Sequence, residues 1–168
     1  MVRVRSFALG DRADVAILHA DSWRRTYGTM VSPRDLEDVL LPDIARRWQD
    51  YRAAPGDVVL TARDGERLAG FCAIWCRPDP YLDNLHVAED AQGRGIARLL
   101  LRHAADILVA RGFDTLKLTV FSENRHARAV YSRLGGTEAA APPYRLGDVS
   151  VPSVTVRWDG LAPLRDGG

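Results

Sequence analysis

The chain of 168 residues carries 23 basic and 22 acidic side chains, for a formal net charge of +1. That length suits one domain, residues 1–168, with a sizeable core, and the near cancellation of charge gives no pull toward nucleic acid or an anionic membrane. No apolar run approaches the roughly 18 residues that span a bilayer, and Val2, Arg3, Val4 and Arg5 alternate with no signal-peptide core, so a cytoplasmic protein is expected.

In chain order, residues 2–7 read as a strand and 13–27 as a helix with apolar or aromatic residues at Ala13, Ala16, Ile17, Ala20, Trp23 and Tyr27. Gly28 ends that helix. Ser32 and Pro33 form an N-cap and first-turn pair for a second helical region reaching to about residue 53, interrupted near Pro42. Residues 58–63 and 67–76 form a hairpin around Asp64 and Gly65, and 81–87 is a further strand. A helix (96–108), a strand (115–121), a helix ending near Leu134 and two closing strands (137–145 and 150–158) follow. Strands and helices in this order predict an α+β fold rather than a doubly wound one. The apolar edge at 151–158 needs a partner, which makes a homodimer plausible.

Cys72 and Cys76 face the same way on one strand, too far apart for a disulfide, and read as small buried residues. His19, His86, His103 and His126 show no metal-ligand spacing with them, and no metal is expected.

The most informative segment is Gln92, Gly93, Arg94, Gly95, Ile96, Ala97, between the strand ending Leu85, His86, Val87 and the helix beginning at Ile96. The first amides of a helix lack partners and carry partial positive charge, and small residues let a diphosphate reach the backbone itself. Arg94 and Arg98 add charge at the rim. There is no GxxxxGK[ST], and Arg98 stands where a dinucleotide fingerprint needs its last glycine.

Gln92, Gly95 and Ala97 fit [Q/R]xxGx[G/A], which resembles the acetyl-CoA loop of the GNAT N-acetyltransferase superfamily. Downstream, Asn124 followed seven residues later by Tyr131 and then Gly135 resembles that family's second signature. Seven residues is close to two helical turns, which puts both side chains on one face. Alone, Asn124 reads as an N-cap and Tyr131 as a half-buried aromatic. The resemblance covers nearly the whole chain. It implies the GNAT fold: a mixed sheet of six to seven strands, about four helices, and fourth and fifth strands splayed into an acyl-CoA cleft.

It also implies direct transfer of acetyl from acetyl-CoA to a primary amine, with Asn124 on the coenzyme arm and the Tyr131 hydroxyl at the thioester sulfur. Backbone groups of Leu85, His86 and Val87 would receive pantetheine, the Val87 amide facing the developing oxyanion. An alkylamine with a pKa near ~10.4 must lose a proton before it attacks. Asp83, which in strict alternation shares a face with Val87, is the first candidate base; His86 has the better intrinsic pKa but projects to the other face.

Thr119 stands where some relatives carry a fifth-strand glutamate, which favours a water relay, and Gly136 stands where the family usually has a large aromatic, which predicts a looser turn. Trp23 and Tyr27, one helical turn apart, resemble part of a cluster that lies beside the acceptor cleft in a common bacterial GNAT subgroup. Arg24 and Arg25 suit a phosphate, an acidic substrate or water, and Pro142, Pro143 and Tyr144 an opposite wall. A coenzyme A binding module without turnover, or transfer of another acyl group, stays open.

Overall fold

Alternating residues at the start form β1 (Val2–Ser6), and α1 (Arg12–Tyr27) follows, burying Val15, Leu18, His19 and Ser22. The computed structural model describes residues 1–146 and 149–166. Ser32 Oγ accepts the Asp35 N–H at 3.0 Å, the expected cap, and a wide π turn (Asp35–Leu40) runs straight into α2 (Leu41–Asp50). Pro42 lies in the first turn of α2, where its missing N–H costs nothing. The hairpin is β2 (Val58–Asp64) with β3 (Arg67–Cys76), and β4 (Pro80–Val87) returns antiparallel to it. Next come α3 (Ile96–Ala110), β5 (Leu116–Phe121), α4 (Arg125–Arg133) and β6 (Thr137–Ala140). A small hairpin, β7 (Tyr144–Leu146) with β8 (Val149–Val151), precedes β9 (Ser153–Trp158) and α5 (Ala162–Asp166).

Seven strands make one mixed sheet in the order β1-β2-β3-β4-β5-β9-β6. Its two faces carry separate cores. One gathers Leu60, Cys72, Ile74, Leu82, Leu118 and Trp158 against Leu100, Leu101 and Leu108 of α3 and Tyr131 of α4. The other packs Val59, Phe71 and Ala73 against Val15 and Leu18 of α1 and Ile44 and Trp48 of α2. The parallel strands β4 and β5 meet at one bridge, Tyr81 with Lys117, and part beyond it toward Val87. That parting is the splay the family resemblance implies.

Three expectations need correction. First, β4 does not alternate strictly: Ala73 pairs with Asn84 and Ile74 with Leu82, so Asp83 is the extra residue of a β-bulge. Leu82 and Leu85 consequently pack on the same core, and Asp83 shares no regular face with Val87. Second, the apolar stretch at the end is no edge. The single closing strand divides at Pro152 into β8 and β9, and β9 lies between β5 and β6, so the chain covers it itself. The edge is β6, exposed along its whole length, and the reason for a homodimer at that surface lapses. Third, the turn at Gly136 is tight. A Cβ there would lie 2.6 Å from Val156 and 2.9 Å from the Trp158 ring, so Trp158 fills the room a large residue at 136 would take. Trp158 is buried and donates its indole N–H to the Leu134 carbonyl at 2.9 Å.

Candidate active site

The glycine turn is built for an anion. Gly93 and Gly95 have φ of +72° and +74°, a left-handed conformation that side-chain-bearing residues adopt only under strain. A Cβ at either would meet nothing within 4 Å, so the space beside the turn is open. Gly95 caps α3 without a side-chain hydrogen bond, and no acid occupies the first turn. The terminal N–H groups therefore keep their partial charge for a ligand. Arg94 departs from expectation: its guanidinium binds Asp64 at 2.8 Å, and Asp64 also takes the Met1 ammonium at 3.0 Å. That charge already has a partner.

A cavity of about 650 Å³ runs from this turn through the gap between β4 and β5 to α1 and α2. Of the sequence-predicted site residues, all but Arg94 line it. A more open groove of about 730 Å³ beside α1 is lined by Asp14, Asp21, Glu66 and Asp90 with Arg24 and Arg67. Its arginines pair with its own rim: Arg24 with Asp21, Arg67 with Asp90.

Asn124 and Tyr131 come together as the spacing requires. Asn124 Oδ1 accepts the Ala127 N–H at 3.2 Å, so the N-cap reading holds, and the amide still lines the cavity. Its Nδ2 donates to the Tyr27 hydroxyl at 3.0 Å. The Tyr131 ring packs edge-on against Trp158, centroids 6.0 Å apart. No described residue hydrogen-bonds the Tyr131 hydroxyl, and burial, then the neighbouring Tyr27, push its pKa well above the usual phenol range. It is an intact proton donor throughout the physiological range.

Four rings form one wall. Trp23 and Tyr27 stand 4.7 Å apart, Tyr27 and Phe121 4.8 Å, and Phe121 and Tyr144 5.5 Å. Arg24 is bound to Glu37 and Asp21, whereas Arg25 donates to the Val87 carbonyl at 3.4 Å and lies 3.9 Å from Glu89. Asp83, freed by its bulge, accepts from Asn84 Nδ2 at 2.8 Å and stands 3.8 Å from Arg47 of α2.

A polar cluster that sequence reasoning missed sits on the inner wall. His86 Nδ1 lies 2.8 Å from Ser22 Oγ, and the His86 and His19 rings face each other at 4.5 Å. Trp48 donates its indole N–H to His19 Nδ1 at 2.9 Å. Burial first, then the positive potential of His86 and Arg47, lowers the His19 pKa to about 2. Burial first, then Arg25, lowers that of His86 to about 4. Both are neutral at pH 7. The available signal was His19 and Ser22 at i and i+3 on the buried side of α1, but nothing local connects them to β4 or α2.

Among the described residues no group of three or more His, Cys, Asp or Glu could hold a metal, and no helix is long and apolar enough to cross a membrane. A sheet opened between two parallel strands, a bare helix N-terminus beside the opening and a buried phenol facing it define an acyl-CoA transferase site. Residues 18 to 136 match the Acetyltransferase (GNAT) family, and the chain belongs to it. It is 26% identical over 170 residues to the uncharacterized N-acetyltransferase YuaI of Bacillus subtilis, spanning 98% of this chain and 97% of that protein. A shorter stretch of 81 residues is 43% identical to a [ribosomal protein bS18]-alanine N-acetyltransferase of Salmonella typhimurium, covering 48% of this chain and 53% of that one. In fold it is similar to the PaiA N-acetyltransferase from Thermoplasma acidophilum, crystallised with coenzyme A: TM-score 0.71, 19% identity, 94% of this chain and 99% of that one.

Proposed function

We propose that the protein, working as one domain, transfers the acetyl group of acetyl-CoA directly to a primary amine in a ternary complex. One observation carries this reading: the gap between β4 and β5 opens beside the uncapped start of α3 and is flanked by Tyr131 and Asn124. The diphosphate would sit on the amides of residues 93–98, with pantetheine along Leu85, His86 and Val87. The free Nδ2 hydrogen of Asn124 faces the arm. A neutral amine attacks the thioester carbon, the Val87 amide stabilises the oxyanion, and Tyr131 protonates the departing sulfur. Asp83 stands at the α2 side of the mouth, where its charge draws a cationic amine. The ring wall of Trp23, Tyr27, Phe121 and Tyr144 gives the acceptor an apolar surface, also suited to cation–π contact. A mouth lined by side chains of α1, α2, β4 and the β7 hairpin admits either a small molecule or an exposed peptide amine.

The test is to mix the protein with acetyl-CoA and tyramine, spermidine, lysine or an alanyl peptide while following free thiol. Amine-dependent thiol release is expected. Coenzyme binding by calorimetry with no release on any amine would leave only a binding module.

A further inference from the structure

The transfer scheme leaves the most deeply placed polar side chains of the cavity without a task. His86 directly precedes the proposed oxyanion amide of Val87, and its ring is held on two sides: His19 at 4.5 Å and Phe71 at 5.3 Å. Its Nδ1 is engaged by Ser22 Oγ at 2.8 Å, which leaves Nε2 as the ring nitrogen available to a ligand. We propose that His86 Nε2 takes the proton leaving the acceptor nitrogen, and that Ser22 is a positioning residue, accepting Nδ1–H so that Nε2 keeps its lone pair. This rests on the acetyl-transfer reading above.

The surroundings support the assignment. Trp48 can only donate, so His19 Nδ1 must accept and His19 carries its one proton on Nε2. The charged or titratable groups nearest His86 are His19 and Arg25 of α1, with Arg47 of α2 acting on His19. None of them stabilises an imidazolium, so the ring rests neutral and sheds a proton soon after taking one. Asp83, by contrast, is the extra residue of the bulge and already binds Asn84 and Arg47.

The proton balance closes. So weakly basic an imidazole does not strip an alkylammonium of pKa near ~10.4, and the amine arrives neutral. The C–N bond forms as the carbonyl pair moves to oxygen, and the cationic nitrogen of the adduct, far more acidic than a free ammonium, passes its proton to Nε2. The carbonyl re-forms, the C–S bond breaks, and sulfur takes the Tyr131 proton. Water then removes the imidazolium proton and restores that of Tyr131. One proton leaves nitrogen and one reaches sulfur.

Steady-state kinetics with the best amine of the panel test this. His86→Ala should lower kcat by about 10² to 10³ with the calorimetric CoA affinity unchanged, and added imidazole should restore tens-fold of it. Ser22→Ala should cost about tenfold in kcat and Ser22→Thr little, since Thr keeps the hydroxyl. In the wild type, kcat/KM should climb toward the acceptor's own pKa with no inflection near ~6.5. Unchanged turnover in His86→Ala, or a loss that imidazole does not relieve, overturns the proposal. Absence of thiol release by the wild-type protein on every amine removes the acetyltransferase reading, and this one with it.

Discussion

Asn124 and Tyr27 lie 97 residues apart in sequence and meet at 3.0 Å, the amide N–H donating to the phenol oxygen. The contact joins the proposed coenzyme arm to the proposed acceptor wall. Asn124 Oδ1 is committed to the Ala127 N–H, so the carboxamide has one orientation and one remaining N–H for pantetheine. Tyr27→Phe deletes the acceptor that fixes this orientation. A neutral hydrogen bond is worth about 0.5–1.5 kcal/mol, so KM for acetyl-CoA should rise about two- to tenfold with a smaller change in kcat. Titration of acetyl-CoA at saturating amine checks it, and an unchanged KM would separate Tyr27 from the coenzyme.

Tyr131 should behave differently. Tyr131→Phe is expected to lower turnover by about 10² to 10⁴ while coenzyme affinity stays nearly intact, because the hydroxyl acts as sulfur leaves. Stability should barely move, since no described residue hydrogen-bonds that hydroxyl. Its raised pKa means that an alkaline fall in rate below pH 10 cannot come from ionisation of this phenol. Equal turnover in the Phe variant would remove Tyr131 from the mechanism.

The glycine turn makes a third prediction. Gly95 holds φ of +74°, where an L-residue is strained by about 1–2 kcal/mol. Gly95→Ala should lose about that much stability or shift the turn to relieve it. In either case CoA should give a much smaller thermal shift than with wild type. An undiminished shift would mean that coenzyme does not lean on this backbone.

Gly136 and Trp158 form a coupled pair. Gly136→Phe overfills space that Trp158 already occupies and should cost about 1–3 kcal/mol. Trp158→Ala empties it, at about 3–5 kcal/mol. The double variant should be more stable than the sum of the two losses, the new ring entering the vacated room. Strict additivity in urea unfolding would show that the two positions do not share that volume.

Acid stability follows from His19. Its unfolded pKa is near 6.5 and its folded value about 2, lowered by burial, His86 and Arg47. The unfolded chain therefore binds a proton that the folded one refuses, and the stabilisation, full above pH 6.5, drains by about 1.4 kcal/mol per pH unit below it. His86 pulls in the same direction down to about 4. His19→Gln retains an acceptor for Trp48 and removes the titration, so its stability should fall less steeply between pH 6.5 and 4.5. Parallel wild-type and variant curves would contradict this.

Much of this was legible in the sequence because it is local. Periodicity placed the helices and strands to within a few residues, and Ser32 before Pro33 announced its own cap. The small residues around Gly93 and Gly95 and the interval from Asn124 to Tyr131 marked the coenzyme side, because turn conformation and helical pitch operate over fewer than ten residues. Only the tertiary structure decided the rest. A single bulge at Asp83 broke an alternation that looked regular, because whether a strand gains an extra residue depends on the partner it pairs with. Trp158, twenty-odd positions away, replaced the side chain that Gly136 lacks, and β6 covered β9. The Ser22–His86 and His19–Trp48 contacts join α1 to β4 and α2, and no spacing along the chain encodes which side chains meet when three separately formed elements pack on one face of a sheet.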